Sequence, residues 1–190
     1  METRKAPESA VDPRVQRTKS HVLALARTLL ADGGPTAVTY QELSTQARVT
    51  RQTLYRHWPT REALFVDLAL EHAESGMPDG SGSAEEIVAA FLFGLRDGMN
   101  DPASAAPLTT LIACADSDQG CAAALREIVA NRRSALNALL APRGAHLTAE
   151  EYATLCGPVL FQRFLARTPA TDDFLRRLAA EWASSARGSS

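Results

Sequence analysis

The stretch from Thr39 to Phe65, TYQELSTQARVTRQTLYRHWPTREALF, constrains this chain more than any other part of it. Two short helical patterns stand only three or four residues apart, and each is opened by a threonine. Thr39 and Glu42 have the spacing of a capping box, which opens a helix to about Ala47. Thr50 caps a second helix from Arg51 to His57, stopped by Pro59, and Thr60 caps a third from Arg61 to about Gly76. Helices this short hold only when packed against something. Leu43, Ala47, Val49, Leu54 and Trp58 supply an inner face, leaving Arg51, Gln52, Thr53, Tyr55 and Arg56 for the outer one.

Helix, tight turn, helix is the arrangement that presents a second helix to a DNA major groove. The outer residues suit that task. Arg reads guanine bidentately, Gln reads adenine, and the Thr methyl meets a thymine methyl. Tyr, His and helix N-terminal N–H groups suit phosphates. Charge agrees. Residues 1–61 carry ten Lys/Arg against five Asp/Glu, whereas residues 62–190 carry ten against seventeen. A basic head on an acidic body points to a polyanion met by the head alone, the alternative being chance clustering or a disordered basic tail.

The rest of the chain also reads as helix. Asp12-Pro13 opens a first helix with the stripe Val22, Ala26, Leu29 and Leu30, ended by Gly33-Gly34-Pro35. A Gly/Pro/Ser loop runs from Gly76 to Gly82. A capping box at Ser83 and Glu86 precedes Ile87, Val88, Phe91, Leu92, Leu95 and Met99. The segment from Pro102 to about Ala115 is ambiguous because Pro107 lies inside it. A long helix runs from about Gln119 to Leu140, and a third capping box, Thr148 and Glu151, opens another to about Ala166. Pro158 lies within it, which predicts a kink or local widening. A last helix starts at Thr171 or Asp172 and reaches about Ser185. No segment alternates with period two. The expectation is an all-α protein of about nine helices. A three-helix helix-turn-helix head spans residues 13–60 and a ligand-binding and dimerisation body 61–186, joined by helix 61–76.

At the head the chain resembles the TetR family of bacterial transcriptional regulators. Gly33, Thr39, Leu43, Ala47, Val49-Thr50, Thr53-Leu54-Tyr55, His57-Trp58 and Arg61-Glu62-Ala63-Leu64 carry the likeness. There are departures. Arg48 stands at a turn position usually held by Gly, so the turn either avoids the left-handed region or Arg48 adopts it at a cost. Trp58 replaces the commoner Phe, and Arg61 a Lys. The resemblance implies that Arg51, Gln52 and Thr53 meet base edges. It places Thr39, Tyr40, Tyr55, His57 and Arg61 on or near phosphates, with Thr50, Arg48 and Arg56 alongside. The alternative for Tyr55 is a ring packed in the head, and for His57 an ordinary surface histidine.

The body carries no comparable motif. The helix from Thr148 is apolar nearly all round, with Tyr152, Leu155 and Val159 on one stripe and Cys156, Leu160 and Phe164 on another. The last helix pairs Phe174, Leu178 and Trp182 with Leu175, Ala179 and Ala183. Such helices need covering on two sides. The expectation is a homodimer through Tyr152, Leu155, Val159, Phe174, Leu178 and Trp182, spacing two heads for a palindrome-like duplex operator, with simple burial within a monomer as the alternative. The resemblance further implies a small-molecule effector that shifts the fourth helix. Phe91, Leu95, Met99, Leu111, Cys114 and Phe161 are candidate pocket liners, and His72 a candidate packing residue between head and body.

Other classes are weakly supported. Apolar residues make up 45% and charged residues 22%, ordinary for a globular chain. No apolar run nears a membrane span and the N-terminus lacks a signal peptide's apolar core, so a cytoplasmic protein without membrane contact is expected. GxSxG, HExxH, P-loop and GxGxxG motifs are absent, and the four histidines are scattered. These features predict no catalytic residue, no metal and no cofactor. Cys114, Cys121 and Cys156 are odd in number and lack CxxC spacing, which argues against a disulfide framework or structural zinc. A redox-sensing regulator, or a scaffold binding another protein, remains the alternative.

Overall fold

A computed structural model describes residues 13–73 and 76–188, with backbone only at 13, 72, 73 and 186–188. The expected Asp12 cap and the His72 side chain lie outside the described residues. Within them the chain is all-α: α1 Pro13–Gly33, α2 Tyr40–Ala47, α3 Arg51–His57, α4 Arg61–Ala73, α5 Ala84–Asn100, α6 Pro102–Cys114, α7 Gln119–Leu140, α8 Ala149–Phe161 and α9 Asp172–Gly188.

The start signals operate as hydrogen bonds. Ser83 with Glu86, and Thr148 with Glu151, close complete capping boxes on α5 and α8. At α2 only half of the expected box forms. Thr39 accepts from the Glu42 N–H at 3.2 Å, but the Glu42 carboxylate takes the Gln46 amide at 2.7 Å instead. Pro107 does not break α6. Asp101 caps that helix and Pro102 opens it, while the Thr109 and Thr110 hydroxyls both donate to the Ala106 carbonyl. At Pro158 helix α8 runs on, and the widening comes one turn later, as a π turn at Gln162–Ala166. That turn is anchored by Arg163, whose Nε donates to the Met99 carbonyl at 2.7 Å.

Two apolar clusters organise the molecule. One joins α5, α8 and α9 with the far end of α7, through Phe91, Leu92, Leu136, Leu140, Tyr152, Val159 and Leu175. The other joins α1–α4 with α6 and the near end of α7, through Leu30, Leu43, Leu54, Trp58, Phe65, Leu111, Cys121 and Ile128. The head's core therefore extends into the body. Helix α7, 22 residues and about 33 Å long, is part of both clusters.

The α6–α7 turn corrects the reading of the cysteines: Cys114 and Cys121 are bonded across it, with Cα atoms 6.1 Å apart. Spacing rules for zinc and redox motifs do not register a pair that a helix–turn–helix brings together. Cys156 is buried and free. No described helix is long and apolar enough to cross a membrane.

Candidate nucleic-acid interface

Helix α3 has one buried side chain, Leu54, and turns Arg51, Gln52, Tyr55 and Arg56 outward. These four occur at i, i+1, i+4 and i+5, so they share one face. The α2–α3 turn sets the angle of that face. Arg48 takes the left-handed conformation, φ 54° and ψ 40°, in place of the usual glycine. The turn is closed around it, since the Arg48 and Val49 N–H groups reach the Ser44 carbonyl and the Ser44 hydroxyl donates to the Val49 carbonyl at 2.6 Å. Those bonds offset part of the cost of a side chain in this region. The Arg48 side chain itself is exposed at the turn.

Thr39, Tyr40, Arg51, Tyr55 and Arg61 come together around an open cleft of about 450 Å³ that also includes Gln41 and Thr60. Arg51 leans on Gln41, donating to its Oε1 at 2.9 Å, so the guanidinium is held at the cleft. The Arg61 guanidinium donates to the Pro35 carbonyl and lies over the Phe65 ring, 5.2 Å from its centre. Tyr55 is 51% exposed, with its ring edge-on to Tyr40 at 4.7 Å. One side of the ring is thus packed within the head, and Tyr55 also lines the cleft.

Tyr40 differs from the expectation. Its hydroxyl lies 2.5 Å from the Trp58 carbonyl and 2.7 Å from that of Thr60, and donates into the α3–α4 turn rather than outward. Burial, followed by Tyr55 and Glu62, pushes its pKa up to about 12, so it stays a neutral donor. Thr39 and Thr50 accept from backbone N–H groups of their own helices, and Thr50 also pairs with Thr53 at 2.9 Å. Gln52 and Arg56 are exposed outside the cleft. His57 is half-buried, its ring 5.7 Å from that of Trp58.

Two partners were missed by sequence reasoning. Gln41 sits in the first turn of α2, where nothing but folding brings it to Arg51. Asp67 accepts from the Trp58 indole N–H at 2.7 Å and pairs with Lys19 at 2.8 Å, tying the end of α3 to α4 and α1. The indole of Trp58, where Phe is commoner, was the available signal.

The remaining predicted residues are more scattered. Phe91, Leu95 and Met99 fill the α5 side of the body cluster, whereas Leu111 and Cys114 belong with the head cluster. Phe161 is 57% exposed and lines neither. A cavity of about 780 Å³ lies elsewhere, between α1, α4 and α7, with Lys19, Asp67, Glu71, Glu127, Asn131 and Arg132 among its walls. On α8 and α9, Tyr152, Leu155, Val159 and Trp182 are buried in the chain's own core. Phe174 and Leu178 are half-buried at its edge, and Leu165, 73% exposed, continues the outer face of Phe161.

Known proteins share the fold and both parts of the sequence. Residues 22–68 match the model of bacterial regulatory proteins of the tetR family. Residues 77–182 match the tetracyclin repressor-like C-terminal domain. Over 78 residues the chain is 32% identical to YdeS of Bacillus subtilis (strain 168), an uncharacterized HTH-type transcriptional regulator. That alignment spans 40% of this chain and 39% of the length of YdeS. The TetR family regulator SCO0332 shares the fold with TM-score 0.72 at 23% identity, covering 87% of this chain and 96% of that one. A TetR regulator from Rhodococcus sp. RHA1 does so with TM-score 0.66 at 20% identity, covering 88% and 96%. One from Haloarcula marismortui gives TM-score 0.67 at 14% identity, covering 90% and 98%. With both of its parts matched by family models, the chain belongs to the TetR family of transcriptional regulators, which are DNA-binding proteins and not enzymes.

Proposed function

We propose that the chain is a dimeric repressor that holds a palindrome-like duplex operator and releases it when a small molecule binds. The carrying observation is the outward face of α3, with Arg51 braced by Gln41 at a cleft bounded by Tyr55 and Arg61. In this reading Arg51, Gln52 and Thr53 meet base edges. Tyr55, His57, Arg61, Arg56, Arg48 and the Thr39 and Thr50 hydroxyls meet the backbone. Tyr40 holds the turn that aims α3. Residues 13–60 act as the head and 61–186 as the body, with α4 leading from one to the other.

Dimerisation uses the outer side of α8 and its π turn, Ala153, Gly157, Phe161 and Leu165, together with the Phe174 and Leu178 edge of α9. This keeps the predicted helices but exchanges their faces, because Tyr152, Leu155, Val159 and Trp182 are already covered within one chain. The effector enters the cavity between α1, α4 and α7. Its walls belong to both head and body, so an occupant's affinity depends on the angle between them, as a switch requires. The mixture of Lys19, Asp67, Glu71, Glu127, Asn131 and Arg132 suits a polar or zwitterionic molecule.

Selection of duplex fragments from the source genome by the purified chain tests the reading. It predicts enrichment of one palindrome-like sequence, with strong salt dependence of binding. Uniform recovery of all fragments would refute it.

A further inference from the structure

We propose that Cys114 and Cys121 form a thiol–disulfide pair that hydroperoxides oxidise and whose state is transmitted to α3. Cys114 is the last residue of α6 and Cys121 lies in the first turn of α7. The turn is fastened by more than the sulfurs. Ser117 and Asp118 N–H groups both donate to the Cys114 carbonyl, at 3.0 and 2.9 Å, and the Asp118 carboxylate caps α7 through Gly120 and Cys121. After reduction these bonds keep the thiols adjacent, poised to close again, and the Cα separation of 6.1 Å suits the bond.

The two cysteines are unequal. Cys114 is half-buried and meets an oxidant, while Cys121 is 1% exposed and serves to resolve. The Cys114 thiolate attacks a peroxide oxygen. The O–O bond breaks, alkoxide or hydroxide leaves and takes a proton, and Cys114 becomes a sulfenic acid. The Cys121 thiolate then attacks the Cys114 sulfur, the S–O bond breaks, and the departing hydroxide becomes water. Two electrons pass from the two thiols to the peroxide, and a dithiol reductant returns them. Cys156 takes no part, because it is buried in the other cluster and burial pushes its thiol up to about 11.

Transmission rests on where Cys121 packs. It belongs to the apolar cluster that includes Leu54 and Trp58 of the α3 end. It also lines a cavity of about 330 Å³ with His57, Trp58, Val66 and Asp67. Breaking the bond moves the sulfurs from bonding to van der Waals separation, on the order of 1.5 Å. A close-packed interior passes a shift of that size to its neighbours.

The DNA half of the test rests on the proposed operator binding, so two other readouts accompany it. The reduced full-length chain is treated with hydrogen peroxide and its free thiols are counted. One remaining thiol, with loss of two hydrogens by mass, is expected for the wild type and none for Cys156→Ser. Three remaining thiols in the wild type, or a sulfinic acid in place of the bond, would overturn the proposal. Hydrogen exchange then compares the dithiol and disulfide forms of the unsubstituted chain. Exchange at α3 and the start of α4 should differ at least about fivefold, and operator duplex affinity likewise. Neither difference should survive in Cys121→Ser. Exchange differences confined to residues 111–125, or equal operator affinity in the two forms, would overturn transmission. Failure of both forms to bind any duplex would refute the operator reading instead, leaving thiol counts and exchange to decide this one.

Discussion

Replacing Trp58 by phenylalanine, the residue commoner at this position in the resembling family, should cost more than a conservative change suggests. The indole N–H donates to the Asp67 carboxylate at 2.7 Å, and the side chain is 1% exposed. A hydrogen bond to a charged group contributes about 1.5–3 kcal/mol. The smaller ring also leaves unfilled volume in the head cluster, which adds to the loss. Asp67 keeps its pairing with Lys19 at 2.8 Å, so the carboxylate is not stranded and the total stays near 2–4 kcal/mol. For a chain of this size that corresponds to a melting temperature lower by roughly 5–15 °C. Thermal unfolding with urea titration measures it, the urea slope reporting whether the unfolded state has changed. In a double-mutant cycle with Asp67→Ala, which removes the acceptor, the combined loss should fall short of the sum by about 1–2 kcal/mol. An unchanged melting temperature, or simple additivity, would refute the claim that this bond holds α3 to α4.

Tyr40→Phe removes the donor shared by the Trp58 and Thr60 carbonyls and should cost about 1 kcal/mol, with faster hydrogen exchange at the α3–α4 turn as the check. Val159→Asp places an unpaired charge in the body core and should abolish cooperative unfolding, whereas Phe161→Asp, on the exposed side of α8, should leave a folded monomer by sedimentation. Asp172 is held below its usual range by the Arg96 guanidinium. Its contribution is therefore present above the unfolded value of about 3.9 and lost as pH falls through the lower folded value. Asp172→Asn should flatten that acid limb of the stability curve, by a small amount because the carboxylate is exposed.

What the sequence disclosed follows the range of the interactions involved. Caps act within four residues, so Thr39, Thr50, Ser83 and Thr148 announced their helices, and the outward side of α3 followed from Leu54 being its one buried residue. Pro107 left the segment from Pro102 ambiguous, and the helix runs through it, since a proline removes only the one bond that its own N–H would make to the Ala103 carbonyl. Tertiary choices were not legible. An apolar pattern around α8 cannot say which face turns inward, and the chain buried Tyr152, Leu155 and Val159 while exposing Phe161. Gln41 reaching Arg51 and Asp67 reaching Trp58 depend on helix crossings with no local signature. The cysteine pair was hidden for the same reason, since seven residues of separation become a contact only once α6 and α7 fold back on each other.

The central claim is that α3 reads base edges while its surroundings only grip the backbone. Measuring the affinity of Arg51→Ala and Arg61→Ala for a complete set of single-base operator variants tests it most directly. Arg51→Ala should lose about 1–3 kcal/mol and relax preference at one position in each half-site. Arg61→Ala should weaken every variant alike and reduce the salt slope by about one. If Arg51→Ala weakens all variants equally, leaving every base preference intact, α3 is not the reading helix and the account fails.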